Sequence, residues 1–140
     1  MNNMEEFNSG QSILKALQNE AELSNFYQRR EFILQTAQQI QKDFAEFGIE
    51  IRFSGDTIGA YEELCEQMSN HLYHILNSRQ SMLFNLLYRI DLSDSAIRKG
   101  ADLKPDLPLS DLLADLIIQR ELKKVLLRYY FKHQAQQSTE

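Results

Sequence analysis

The chain has 140 residues, 43% of them hydrophobic and 25% charged, with 15 basic and 20 acidic side chains giving a net charge of −5. That balance suits one globular domain that buries its own core without metal or disulfide staples. It also argues against a nucleic-acid binder, which usually carries a basic field. One cysteine, Cys65, excludes an internal disulfide, and five Gly and two Pro leave few turns for a β-rich fold.

The opening MNNMEEFNSG has neither the basic region nor the apolar run of a signal peptide. No stretch approaches the ~18 uninterrupted apolar residues of a membrane span. A cytoplasmic location is therefore expected, with Cys65 as a packed thiol in a reducing compartment. Residues 1–9 and 134–140 are polar and read as flexible tails on a single domain spanning 1–140.

Residues 11–22 are good helix formers with Ile13, Leu14, Leu17 and Ala21 on one side. Asn25 followed by Gln28 resembles a capping box, which favours a break there over a continuous helix. Next, Leu23, Phe26, Arg30, Ile33, Ala37, Ile40, Phe44 and Phe47 recur at alternating steps of three and four, the seam of helices packed at a shallow angle. Gly48 stands where a left-handed C-terminal cap belongs. The stretch from Thr57 to Leu92 carries a second such seam at Tyr61, Cys65, Met68, Leu72, Ile75, Arg79, Met82 and Leu86. Two seams with a short connection predict an antiparallel helical hairpin.

The connection alternates Ile49, Ile51 and Phe53 with Glu50 and Arg52, a strand-like period with no partner strand in the sequence. An extended cap over the end of the bundle is expected, in preference to an edge pairing with a second copy. After Asp91, Ser93 or Asp94 can start a turn of helix that Gly100 ends, and Pro105 and Pro108 mark a loop. The last helix spans about 109–132, with acids early and bases late to match its dipole. The fold class is thus all-α: an antiparallel helical bundle with two long helices, a long C-terminal helix and one or two short ones.

The last helix is apolar on two sides. Leu109, Leu112, Leu113 and Leu116 share one face, and Ile118, Leu122, Val125, Leu126 and Tyr129 lie nearly opposite. Such a helix is either wrapped by neighbours or shared with a second molecule. With so few helices to cover it, Ile118, Leu122, Val125, Leu126 and Tyr129 become candidates for a homodimer or partner interface.

Arg30 and Arg79 occupy core slots of the two seams, and folding the hairpin sets them opposite each other. Counting turns puts Arg120 near the same level. Three guanidinium groups there need negative partners or a route to water. Either Glu31, Glu121 and Asp115 form a polar layer, or the arginines snorkel, or Arg30, Arg79 and Arg120 grip a small anion such as phosphate or a carboxylate. The polar layer and snorkelling are the default.

Other chemistry is weaker. His71 and His74 are three residues apart but at the flank of the apolar face, without the inward Glu-x-x-His of a bundle metal site, so no metal or other cofactor is expected. Asp91, Asp94, Asp102, Asp106 and Asp111 match no calcium-loop spacing and suit capping and solvation. The basic stripe Arg120, Lys124 and Arg128, with Lys123 and Lys132 beside Tyr129 and Tyr130, reads as a solvated, dipole-matched face. No catalytic motif is present. The leading expectation is a non-catalytic module that self-associates or docks onto a partner protein. Anion binding in the arginine layer is the alternative, and an enzyme or metal protein built on the histidines and glutamates trails both.

Overall fold

A computed structural model describes the backbone of residues 3–138 and the side chains of residues 10–134. Among these residues the chain is all-helical: α1 (Asn3–Ala16), α2 (Glu20–Ser24), α3 (Arg30–Ala45), α4 (Ala60–Ser78), α5 (Gln80–Ile90), α6 (Asp94–Leu103) and α7 (Leu109–Ser138). The expected tails at 1–9 and 134–140 lie partly outside the described residues, and where their backbone is described, at 3–9 and 134–138, it is helical. No described helix is long and apolar enough to cross a membrane.

The centre of the bundle is α7. α4 lies along it, α3 lies along it beside α4, and α1, α2, α5 and α6 also touch it. Its first half supplies Leu113, Ala114, Ile117 and Ile118 to a large core shared with Ile33, Ile40 and Phe44 of α3, Leu64, Met68 and Leu72 of α4, and Leu86 and Ile90 of α5. Its second half supplies Leu122, Val125 and Leu126 to a smaller core with Ile13, Ala16, Leu23, Phe26 and Phe32. Most of the two apolar sides of α7, from Leu112 to Leu126, is therefore covered by the chain itself, while Leu109, Leu127 and Phe131 stay exposed. This corrects the interface expectation: Ile118, Leu122, Val125 and Leu126 are buried within one molecule, and Tyr129 stacks edge-on against Phe32 with ring centroids 4.9 Å apart.

The hairpin is corrected too. α3 and α4 do not pair principally with each other, because both lean on α7. Nor is the second seam one helix. Arg79, at φ −142° and ψ 67°, ends α4 and starts α5. The cause is local. Asn77 Nδ2 donates to the Tyr73 carbonyl (2.8 Å) and Ser78 Oγ to the His74 carbonyl (2.7 Å), side-chain bonds that compete with continuation of the helix. The first seam is likewise interrupted: Leu23 lies in α2 and Phe26 in the turn after it. The chain does break near Asn25, but Asn25 ends α2 instead of capping the next helix, which starts after Arg29. The side-chain cap is Asn19, at the start of α2, its oxygen accepting from the backbone N–H groups of Ala21 (2.8 Å) and Glu22 (3.3 Å). Gly100 lies inside α6 and does not end it. It is buried, and a Cβ there would stand 3.2 Å from Leu112 and Leu116 side chains, so its bareness sets how closely α6 approaches α7.

The connection between α3 and α4 behaves as the expected cap. Ile51 is buried and Ile49 and Phe53 pack against the large core, while Glu50 and Arg52 face out. Glutamine amides from the flanking helices take the place of a partner strand. Gln67 accepts from the Arg52 N–H (2.8 Å) and donates to the Arg52 carbonyl (2.6 Å), and Gln41 donates to the Ile51 carbonyl (3.1 Å). Gly48, at φ +74°, makes the turn into this segment, with Ile49 N–H bonded to Phe44 O (3.1 Å) and Gly48 N–H to Ala45 O (3.0 Å).

Space at Gly48 is open, so a side chain there meets only the cost of the left-handed backbone. Gly48→Ala is expected to lower stability by about 1 kcal/mol in urea unfolding with an unchanged slope. An unchanged midpoint would show that the turn can adopt another conformation.

Candidate functional site

A cavity of about 320 Å³ opens between α2, the turn after it, the start of α4, the end of α6 and α7. Its wall is made by Glu20, Ser24, Tyr27, Gln28, Ile58, Tyr61, Glu62, Lys104 and Asp115. Asp115 is its buried anchor, 7% exposed because α7 lies at the centre of the bundle. Its Oδ1 accepts from the Tyr61 hydroxyl at 2.5 Å, and its Oδ2 accepts from Lys104 Nζ (2.8 Å) and Gln119 Nε2 (2.9 Å). Lys104 and Gln119 also donate to Glu20 Oε1, at 2.6 and 2.9 Å. The Tyr27 and Tyr61 rings lie 4.8 Å apart, tilted by 45°.

Each element delivers its group for a local reason. Asn19 caps α2 and so fixes Glu20 at its first position. Lys104 follows the last residue of α6, its own N–H closing onto the Gly100 carbonyl at 2.9 Å. Tyr61 opens α4 just after the segment in which the Asp56 side chain accepts from the Ile58 N–H (3.1 Å).

The cavity holds its titratable groups in quiet states. Burial, aided by the charge of Asp115, pushes the Tyr27 phenol well above its ordinary range. Burial and the hydrogen bond to Asp115 do the same to Tyr61. Burial pushes the nearby Cys65 thiol up to about 12. For Lys104 desolvation pulls downward, but the hydrogen bonds and charges of Asp115 and Glu20 prevail and raise it. At neutral pH the wall presents two protonated phenols and an ammonium beside the carboxyl groups of Glu20, Glu62 and Asp115.

A second polar cluster lies inside the bundle. Glu121 on α7 is 0% exposed. Burial pushes its carboxyl up to about 8, a hydrogen bond to Asp43 on α3 and that residue's charge add to the rise, and Lys124 opposes it. Asp43, also buried, accepts from Gln39 Nε2 (3.0 Å) and Arg89 Nε (3.1 Å) at Oδ1, while its Oδ2 and Glu121 Oε2 meet no donor among the described groups. A proton on Glu121 supplies the missing donor. Lys124 lies in ion-pair contact with Glu121 and donates to the Ile90 carbonyl at 3.1 Å.

The arginines are not gathered into one layer. Arg30 is exposed in the first turn of α3, and Arg79 is exposed at the joint between α4 and α5. Arg120 is half-buried and occupied: its Nε donates to the Asp91 carbonyl (3.0 Å) and its Nη2 pairs with the Asp91 carboxylate (2.9 Å). That places it at the far end of α5 from Arg79, roughly 16 Å away along an 11-residue helix. Arg29 covers apolar surface instead, its guanidinium 5.0 and 4.9 Å from the Phe26 and Phe32 ring centroids. His71 is half-buried and His74 exposed, and no group of three metal-ligating side chains occurs among the described residues.

No protein-family model matches the chain, and comparison with curated proteins and with solved structures finds no match. The site therefore stands on its own geometry. Tyr27, Glu20 and Lys104 were not singled out by sequence, since the groups that meet here come from distant positions. Asp115 and Glu121 did carry a signal, as acids on a helix apolar on both sides.

Glu121 gives a pH dependence with a definite sign. Its folded pKa lies above the ordinary carboxylate value of 4.5, so the native state keeps a proton that the unfolded chain has released. The stabilisation is complete below about pH 4.5 and is lost as pH rises to about 8, at up to ~1.4 kcal/mol per unit. Melting temperature should fall between pH 6 and about 9. Glu121→Gln, which keeps a donor for Asp43 and has no proton to lose, should fall less steeply. Parallel pH profiles for the two proteins would contradict the shared proton.

Proposed function

We propose that this chain is a non-catalytic binding module that docks onto a partner protein, one of whose side chains enters the cavity beside Tyr27 and Tyr61. The observation that carries this reading is the mismatch between recognition and reactivity at the site. Its wall offers two aromatic faces, carboxylates and an ammonium, yet its two phenols and its ammonium are all moved away from reactivity at neutral pH. Groups arranged in this way can orient a guest through hydrogen bonds and charge, and the two phenols keep their protons at neutral pH.

The rim supports docking over the capture of a free metabolite. Ile58, in the wall, is an apolar side chain 74% exposed. An apolar side chain at the mouth of a polar cavity favours a guest attached to a larger surface. A partner of a different sequence fits better than a second copy through Ile118, Leu122, Val125 and Leu126 of α7, which are already covered. Cys65 as a free, partly buried thiol suits a reducing, cytoplasmic setting.

The test is a fragment screen by amide-resolved NMR, using neutral, cationic and anionic fragments. Saturable shifts are expected at Ser24, Tyr27, Gln28 and Glu62, with every fragment recovered unchanged. Conversion of a fragment, or shifts confined to another part of the surface, would overturn the reading.

A further inference from the structure

Resting on that binding reading, we infer that the side chain received by the cavity is basic, the ammonium of a lysine or the guanidinium of an arginine on the partner protein. Three carboxylates face the cavity, from Glu20, Glu62 and Asp115, against the single ammonium of Lys104. Glu20 and Asp115 share that ammonium. Glu62 makes no ion pair among the described residues and stands exposed at the first turn of α4. The negative excess at the mouth is thus concentrated on a carboxylate that is free to accept.

The chain itself shows which chemistry the site holds. Lys104 reaches in from the end of α6 and places its ammonium between two carboxylates at 2.6 and 2.8 Å. Gln119 donates to the same two carboxylate oxygens, at 2.9 Å each, so a cation is held there together with a second donor. The Tyr27 and Tyr61 rings add electron-rich faces, which attract alkylammonium and guanidinium groups and tolerate the methylene stem behind them. An anionic guest would meet the net negative wall, and a purely apolar one would strand Glu62. The overall charge of −5 draws a basic partner from a distance as well.

The experiment titrates the full chain with blocked Gly–Ser pentapeptides that differ only in a central Lys, Arg, norleucine or Glu, read by amide NMR. The Lys and Arg peptides are expected to saturate shifts at Ser24, Gln28 and Glu62, with norleucine at least about tenfold weaker. Raising salt from about 50 to about 300 mM should weaken the basic peptides several-fold. Glu62→Gln should weaken them by about three- to tenfold, whereas Glu66→Gln, one turn further along α4 and outside the cavity wall, should change nothing. If norleucine binds as well as lysine, or the Glu peptide binds better, the basic class is overturned and the docking reading stands. If no peptide moves these residues, both fall.

Discussion

A helix that is apolar on opposite sides has to be surrounded, and the rest of this fold follows from surrounding α7. It runs 30 residues, roughly 45 Å, and no single neighbour can cover it. The chain meets the requirement with two successive cores. α3, α4 and α5 close over Leu113, Ile117 and Ile118, and α1, α2 and the Phe26 turn close over Leu122, Val125 and Leu126. α3 contributes to both, with Ile33 in one core and Phe32 in the other. Enclosure also removes water from the polar residues on the covered sides of α7, and three of its four buried polar residues, all but Ser110, dominate the chemistry of the molecule.

Those groups are Asp115, Gln119 and Glu121, and each is answered from a different element. Asp115 receives a phenol from α4 and an ammonium from the end of α6, and with Gln119 it reaches Glu20 of α2. Glu121 meets Asp43 of α3 and is made neutral by its surroundings. A charged residue left alone at either position would cost several kcal/mol, so the pairing is a condition of folding. α7 also tends the end of α5. Asp91 sits at φ +66°, an uncommon conformation for a residue with a side chain, and Arg120 holds both its carbonyl and its carboxylate. Lys124 takes the preceding carbonyl of Ile90, so two cations lie at a helix C-terminus where the dipole favours them.

Much of this was legible in sequence, and the parts that were not share a cause. Periodicity finds what is local: the apolar faces of α3 and α4, the left-handed turn at Gly48 and the plug of Ile49, Ile51 and Phe53 all follow from neighbouring residues. Periodicity also carried the two seams through places where the chain breaks. Asn77 and Ser78 end α4 with side-chain bonds whose signal is weak beside a continuing apolar stripe. Once the helix stops there, Arg79 leaves the core, and the arginine layer built on it dissolves. The two-sided α7 was recognised, but which of its two solutions held depended on how many neighbours reach it. The short segments α1, α2 and α6 proved to be part of that wrapping. The cavity lay furthest from view, because Tyr61 and Asp115 are 54 residues apart and Lys104 and Glu20 are 84 apart.

The most direct test of α7 as a helix enclosed by its own chain is native-state hydrogen exchange followed residue by residue at low protein concentration. Amides from Leu112 to Leu126 should be the slowest in the molecule, and their protection should not change on dilution. Fast exchange on either side of α7, or protection that falls as the protein is diluted, would show that its second apolar side is covered by another molecule and would contradict the account.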